Sequence, residues 1–154
     1  MKILFVCLGN ICRSPMAEAI FTAMVAQAGL ANQVVVDSAA TSNEEVGNPA
    51  HPGTKKILAQ HGLSSQGLVS RQIATADFYE SDYIICMDEN NRRDLQRIAP
   101  ADTTAQIYQI FDIVPGQKGH EVADPWYTGN FIVTYQDLDQ ALPYWLDLIT
   151  KQLA

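Results

Sequence analysis

An apolar run, Ile3-Leu4-Phe5-Val6, stops at Cys7, and Ser14-Pro15 then opens a helical pattern. A short run rich in branched residues fits a buried strand. A Ser-Pro pair fits a helix start, with the hydroxyl as N-cap and proline at the first helical position. The residues between, Cys7-Leu8-Gly9-Asn10-Ile11-Cys12-Arg13-Ser14, are therefore a strand-to-helix turn. Such a turn aims unpaired main-chain N–H groups and the positive end of the helix dipole at one point. It is an anion site before any side chain is considered, and phosphate is its natural guest.

The side chains agree with that reading. Arg13 adds a planar fork of donors that suits phosphate oxygens, and Cys7, at the strand's end, stands where the positive field stabilises a thiolate. Leu8, Gly9, Asn10, Ile11, Cys12 and Ser14 make up the rest of the cradle, with Gly9 and Asn10 able to take left-handed backbone. A Cys-x5-Arg spacing alone is weak, because it arises by chance. The strand before it and the helix start after it set it apart from an inert turn.

The rest of the chain alternates. Ala17, Ile20, Phe21, Met24 and Val25 recur at helical spacing up to Gly29; Val34-Val35-Val36 reads as a strand running into Asp37-Ser38-Ala39-Ala40-Thr41-Ser42 and then a polar loop with Gly47, Asn48, Pro49 and Pro52. Helices are expected at Thr54 to Gln60, Ala74 to Tyr79 and Asp88 to Ile98, with strands at Tyr83 to Met87 and Ala105 to Ile110. A final amphipathic helix is expected from Tyr135 to Leu153. Strands alternating with helices imply an α/β fold, a parallel sheet doubly wound by right-handed crossovers, with the phosphate-binding loop after strand one. No repeat, linker or second domain is visible, so residues 1–154 read as one domain.

With ten Lys and Arg against seventeen Asp and Glu, the formal charge of −7 excludes a nucleic-acid protein, which needs a basic face. Ala19 to Val36 carries Gln27, Gly29, Asn32 and Gln33 and reads as a helix, turn and strand rather than a membrane span. Three cysteines without framework spacing, and an opening directly into a strand, read as a reducing, cytoplasmic setting. The histidines are scattered, and Asp88-Glu89-Asn90-Asn91-Arg92 puts a cation where a calcium loop needs oxygen, so no metal or other cofactor is expected.

From Ile113 to Asn130 the sequence shows a loop approaching twenty residues, long for so small a chain and therefore suspected of function. It contains Asp124-Pro125-Trp126-Tyr127. A thiolate attacking phosphorus in line would form a cysteinyl-phosphate, and the departing phenol would then need a proton that a carboxylic acid can supply. Asp124 is the candidate acid, its direction fixed because the residue before proline is held extended. Trp126 and Tyr127 would wall a slot for an aromatic ring. An ordinary Asp-Pro turn is the bland alternative.

Other residues carry two readings each. Ser14 caps the helix, donates to the Cys7 sulfur, or both. Cys12 either forms a reversible disulfide with Cys7 or fills loop space. His61 reads as a helix-end residue, Arg92, Arg93 and Arg97 as a solvated helix face, and Cys86 as buried and inert.

The loop Cys7 to Pro15 together with Asp124-Pro125 resembles the low-molecular-weight protein tyrosine phosphatases. The likeness runs on through Asp37-Ser38-Ala39-Ala40-Thr41-Ser42, Gly47-Asn48-Pro49, Ser70-Arg71-Gln72-Ile73 and Asp82 to Glu89. It implies a three-layer fold with a four-stranded parallel sheet and hydrolysis of phosphotyrosine in proteins and of small aryl phosphates. Cys7 would be nucleophile, Arg13 phosphate ligand and Asp124 acid then base, while Asn10, Ser14 and Ser42 would hold the loop and thiolate. The implied partners are phosphotyrosine proteins, with a monomer or weak self-association.

Two departures flank the substrate mouth: Glu44 where many members have an aromatic residue, and Trp126 where Tyr is frequent. A histidine found near Gly67 in some relatives is absent, leaving Asp88 without that partner. Among rivals, a thiol-coupled arsenate reductase relays electrons through a further cysteine seven residues beyond a first; Arg93 holds that place after Cys86. A protein-arginine phosphatase typically has Thr where Ile11 stands. A phosphoprotein-binding module without turnover would have no need of nucleophile, arginine and acid together.

Overall fold

A computed structural model describes Met1 to Ala154. Strand β1 (Lys2–Cys7) leads through a short loop, residues 8–12, into helix α1 (Arg13–Gln27), followed by β2 (Val35–Ala40) and α2 (Pro52–Gln60). Then come α3 (Asp77–Glu80), β3 (Tyr83–Cys86), α4 (Glu89–Ile98), β4 (Gln106–Gln109), α5 (Pro125–Thr128) and α6 (Phe131–Leu153). The four strands form one parallel sheet in the order β2-β1-β3-β4, flanked by helices as expected. No helix is long and apolar enough to cross a membrane.

Alternation along β1 divides the interior in two. Ile3, Phe5 and Cys7 point into the larger core, shared with Phe21 of α1 and Leu138, Leu142 and Trp145 of α6. Leu4 and Val6 point to the other face and pack with Phe78, Ile84, Cys86 and Leu95. Phe5 and Phe21 meet edge to face at 5.6 Å, and the buried Trp145 satisfies its indole N–H on Ile110 O at 2.8 Å. A strand covered on both faces can present function only at its end, which is where Cys7 lies.

Several elements depart from the sequence expectation. Strand β2 starts at Val35 and runs through Asp37 and Ser38 to Ala40, because both polar side chains find partners: Asp37 takes Arg71 at 2.9 Å and Ser38 donates to Glu18 at 2.7 Å. The expected loop ahead of Asn130 contains the helical turn α5. Helix α6 then begins at Phe131, four residues early, because the Asn130 side chain accepts from Val133 N at 3.1 Å. Ser14 does not cap α1. The helix starts at Arg13 with no side-chain cap, and the hydroxyl is engaged elsewhere. Nor is Arg92 merely solvated: it reaches the nearly buried Asp112 at 2.6 Å, while Arg93 and Arg97 pair along the exposed helix face.

Candidate active site

The loop from Cys7 to Arg13 is buried apart from Leu8 and Gly9, yet the N–H groups of Leu8, Gly9, Asn10, Ile11 and Cys12 donate to no group of the protein. Buried N–H groups are almost always paired, so the free ones of buried Asn10, Ile11 and Cys12, in line with those of Leu8 and Gly9, mark a place built for an external acceptor. Asn10 supplies the turn, with a left-handed φ of 56°. Gly9, expected to share that role, has no positive φ, and a Cβ there would make only an ordinary contact with Glu45 Cγ at 3.4 Å.

Behind the loop a hydrogen-bond chain reaches the sulfur. Asn10 Nδ2 donates to Ser14 Oγ at 2.8 Å and Ser38 Oγ at 2.9 Å, and Ser14 Oγ lies 3.0 Å from Cys7 Sγ. Ser38 passes its own proton to Glu18, so the direction of the chain is set at that carboxylate. Arg71 N–H donates to Asn10 Oδ1 at 3.1 Å, and the Arg71 guanidinium is clamped by Asp37 and Asp77. Ser42, assigned to this network by resemblance, is not in it. Its hydroxyl donates to Leu8 O at 2.8 Å at the surface, and Ser38 occupies the buried position, one strand residue opposite Phe5.

Arg13 is 2% exposed and holds three partners: Asp88 at 2.6 Å and Val122 O at 2.9 Å through one terminal nitrogen, and Asp124 at 3.3 Å through the other. Its buried Nε donates to nothing in the protein. Burial alone would lower the guanidinium's pKa, but Cys7, Asp88 and Asp124 together raise it above its ordinary value. Asp88 also caps α4 by accepting from Asn91 N at 2.8 Å through its other oxygen, so both of its oxygens have partners although no histidine stands near Gly67. Asp124 caps α5, accepting from Trp126 N at 3.1 Å.

Cys7 and Cys12 line one cleft together with Leu8, Gly9, Ile11, Ser42, Glu44, Glu45, Asp124, Trp126 and Tyr127. All three cysteines are free thiols. Burial, then the charges of Cys7 and Asp124, push the Cys12 thiol up to about 12; burial does the same to Cys86, also to about 12. Both are protonated at neutral pH.

A sulfur at a strand end, a ring of free N–H groups, a buried guanidinium and a facing carboxylate match a known architecture. The family model for low molecular weight phosphotyrosine protein phosphatase matches residues 2–154. The chain belongs to that family. It is 45% identical over 131 residues, 85% of this chain and 84% of the relative, to the low molecular weight protein-tyrosine-phosphatase YfkJ of Bacillus subtilis. It is 44% identical over 139 residues to the rat low molecular weight phosphotyrosine protein phosphatase, covering 88% of this chain and 87% of that one. The YfkJ crystal structure superposes with a TM-score of 0.94 at 41% identity over 99% of this chain and 96% of that one. A Drosophila arginine phosphatase superposes with a TM-score of 0.90 at 32% identity, covering 97% and 98%.

Two carboxylates, Glu44 and Glu45, line the cleft. Glu45 is held by Asn48 at 2.6 Å. Sequence reasoning missed Glu45, Ser38, Glu18 and Arg71 as parts of the site and gave Asp88 no partner there. The place of Asp88 was findable: it lies two residues past β3, at the carboxyl edge of a parallel sheet, where ligands are met.

Proposed function

We propose that residues 1–154 act as one catalytic domain that hydrolyses phosphotyrosine in proteins through a cysteinyl-phosphate. The observation that carries this reading is the run of unpaired N–H groups from Leu8 to Cys12 around Cys7. Three phosphoryl oxygens need that many donors, and Arg13 Nε adds a further buried one.

In the first step Cys7 Sγ attacks phosphorus, and the bond to the phenolic oxygen breaks as Asp124 delivers a proton to it. Ser14 donates to the sulfur while it is an anion, and the loop amides and Arg13 hold the equatorial oxygens as charge spreads over them. In the second step Asp124, now a carboxylate, takes a proton from water, which attacks phosphorus and releases phosphate and the thiolate. Asp124 Oδ2 lies beside Arg13 and its Oδ1 is held by Trp126 N–H, so the carboxyl starts on the leaving-group side. Cys12 is the resolving thiol should Cys7 be oxidised. Three free thiols fit a reducing, cytoplasmic compartment.

Ile11 presents an apolar wall beside the exposed rings of Trp126 and Tyr127, which favours an aromatic ester over a guanidine phosphate. The deciding experiment quenches turnover of a phosphotyrosyl peptide in acid and looks for an adduct of one phosphoryl group on Cys7 by mass spectrometry. A phosphoarginyl peptide is run beside it. The adduct should form from phosphotyrosine, and Cys7→Ser should bind the peptide without releasing phosphate. Phosphate release with no adduct on Cys7 would refute the mechanism.

A further inference from the structure

We propose that His51 is a positioning residue for proton transfer: its ring braces Trp126, and with it the Asp124 turn, against the phosphate loop. The inference rests on the reading of Asp124 as the acid. His51 N–H donates to Ile11 O at 2.8 Å, so its main chain is fastened to the loop that cradles phosphate. Its Nδ1 accepts from Gly53 N–H at 2.9 Å, which fixes the ring's orientation and puts its proton on Nε2.

The oriented ring makes two contacts. It stacks on Phe131 at 4.9 Å and 25°, and it meets Trp126 edge-on at 5.8 Å and 86°. Phe131 can lie there because residue 53 is glycine; a Cβ at that position would sit inside the ring's contact distance. The main-chain N–H of Trp126 in turn donates to Asp124 Oδ1 at 3.1 Å, so the short turn that carries the ring also holds the carboxylate. Contacts thus run without a break from Ile11 through His51 and Trp126 to Asp124.

Capping alone does not explain a histidine here, because Asn or Asp at that position would accept the same N–H more readily. Nor is Trp126 held by a core, since 56% of it is exposed. Its aromatic neighbour is His51, and displacing an acid by even a fraction of an ångström weakens proton transfer.

The test uses the full chain and a series of aryl phosphates, from phenyl phosphate, whose leaving group needs a proton, to dinitrophenyl phosphate, whose leaving group does not. His51→Asn keeps the cap and removes the ring. Its kcat/KM should fall about tenfold on phenyl phosphate and stay within about twofold on the dinitrophenyl ester. His51→Phe, which restores a ring, should recover most of that loss while melting at a lower temperature. If His51→Asn does not fold, Phe131→Leu removes the ring beneath the imidazole and should steepen the leaving-group dependence in the same way. Equal loss on every ester, or no loss, overturns the proposal. Asp124→Ala in the same series separates the two readings. If it shows no leaving-group dependence, the acid assignment itself fails; if it shows one and the His51 variants do not, only His51 is excluded.

Discussion

Ser14 Oγ stands 3.0 Å from Cys7 Sγ while accepting a hydrogen bond from Asn10 at 2.8 Å. Both Asn10 amide hydrogens are committed, one to Ser14 and one to Ser38, so the serine's own hydrogen is left for the sulfur, with Ala39 O at 3.5 Å the weaker competitor. A hydrogen bond to an anion contributes about 1.5–3 kcal/mol, so Ser14→Ala should slow phosphotyrosine turnover by about tenfold to a hundredfold. Alkylation of Cys7 by iodoacetamide at fixed pH should slow in parallel. Alkylation at the wild-type rate would show that the hydroxyl points elsewhere.

Asp88 serves two elements at once, Arg13 through one oxygen and the start of α4 through the other. Asn at this position keeps an acceptor for the cap, whereas Ala does not. Asp88→Ala should therefore be less stable than Asp88→Asn by about 1 kcal/mol in urea unfolding. Both should lose about tenfold in kcat/KM, because an arginine without its orienting charge binds the phosphoryl oxygens less well. Equal stability of the two variants would remove the capping role.

The Arg71 cluster carries a pH signature. Burial alone would raise Asp77, but the Arg71 hydrogen bond, the Ala74 N–H and the guanidinium charge outweigh it and leave the carboxyl below its ordinary value of 3.8. A depressed folded-state value means that this carboxylate contributes fully to stability above 3.8 and loses its contribution as pH falls through the folded value. Urea unfolding should accordingly show a larger gap between wild type and Asp77→Asn at about pH 7 than at about pH 3. A gap that widens in acid would contradict the assignment.

Cys12, a neutral thiol at physiological pH, should not be the first target of peroxide, because the thiolate is the reactive form. Oxidation of Cys7 to a sulfenic acid, followed by condensation with the Cys12 thiol and loss of water, gives a disulfide that dithiothreitol reopens. The Cys12→Ser variant should recover less than about half the wild-type activity after peroxide and reductant. Equal recovery would end the protective role.

Glu44 and Glu45 give the cleft a negative rim with no Lys or Arg on it. Phosphotyrosyl peptides flanked by lysine should be turned over several-fold faster, in kcat/KM, than those flanked by glutamate. The preference should shrink in about 0.5 M salt and in Glu44→Gln. A preference indifferent to salt would point to shape rather than charge.

How much of this was legible beforehand depended on whether a signal was local. The strand-to-helix turn was readable because strand end, turn residues and helix start adjoin in the chain; the extended backbone of Asp124 was readable because Pro125 constrains it. Ser42 was misassigned to the network because Ser38 and Ser42 are equivalent in composition, and only the parallel register of β1 with β2 places Ser38 behind Asn10. Arg71, Asp88 and His51 act across 61, 75 and 40 residues of chain from Asn10, Arg13 and Ile11, distances at which spacing carries no information. The capping error at Ser14 has the same origin: a hydroxyl with two possible uses goes to the one that tertiary packing offers.

Strand β1 is paired on both sides, with Val6 opposite both Ala39 and Cys86 and Cys7 opposite Ala40. The Cys7 sulfur therefore inherits the stiffness of the middle of a sheet and cannot travel toward a bound ester. Any accommodation to esters of different bulk has to come from the far wall, where the rings of Trp126 and Tyr127 stand half or more in water. Selectivity can thus be changed through those outer side chains while the sulfur at the strand's end stays put.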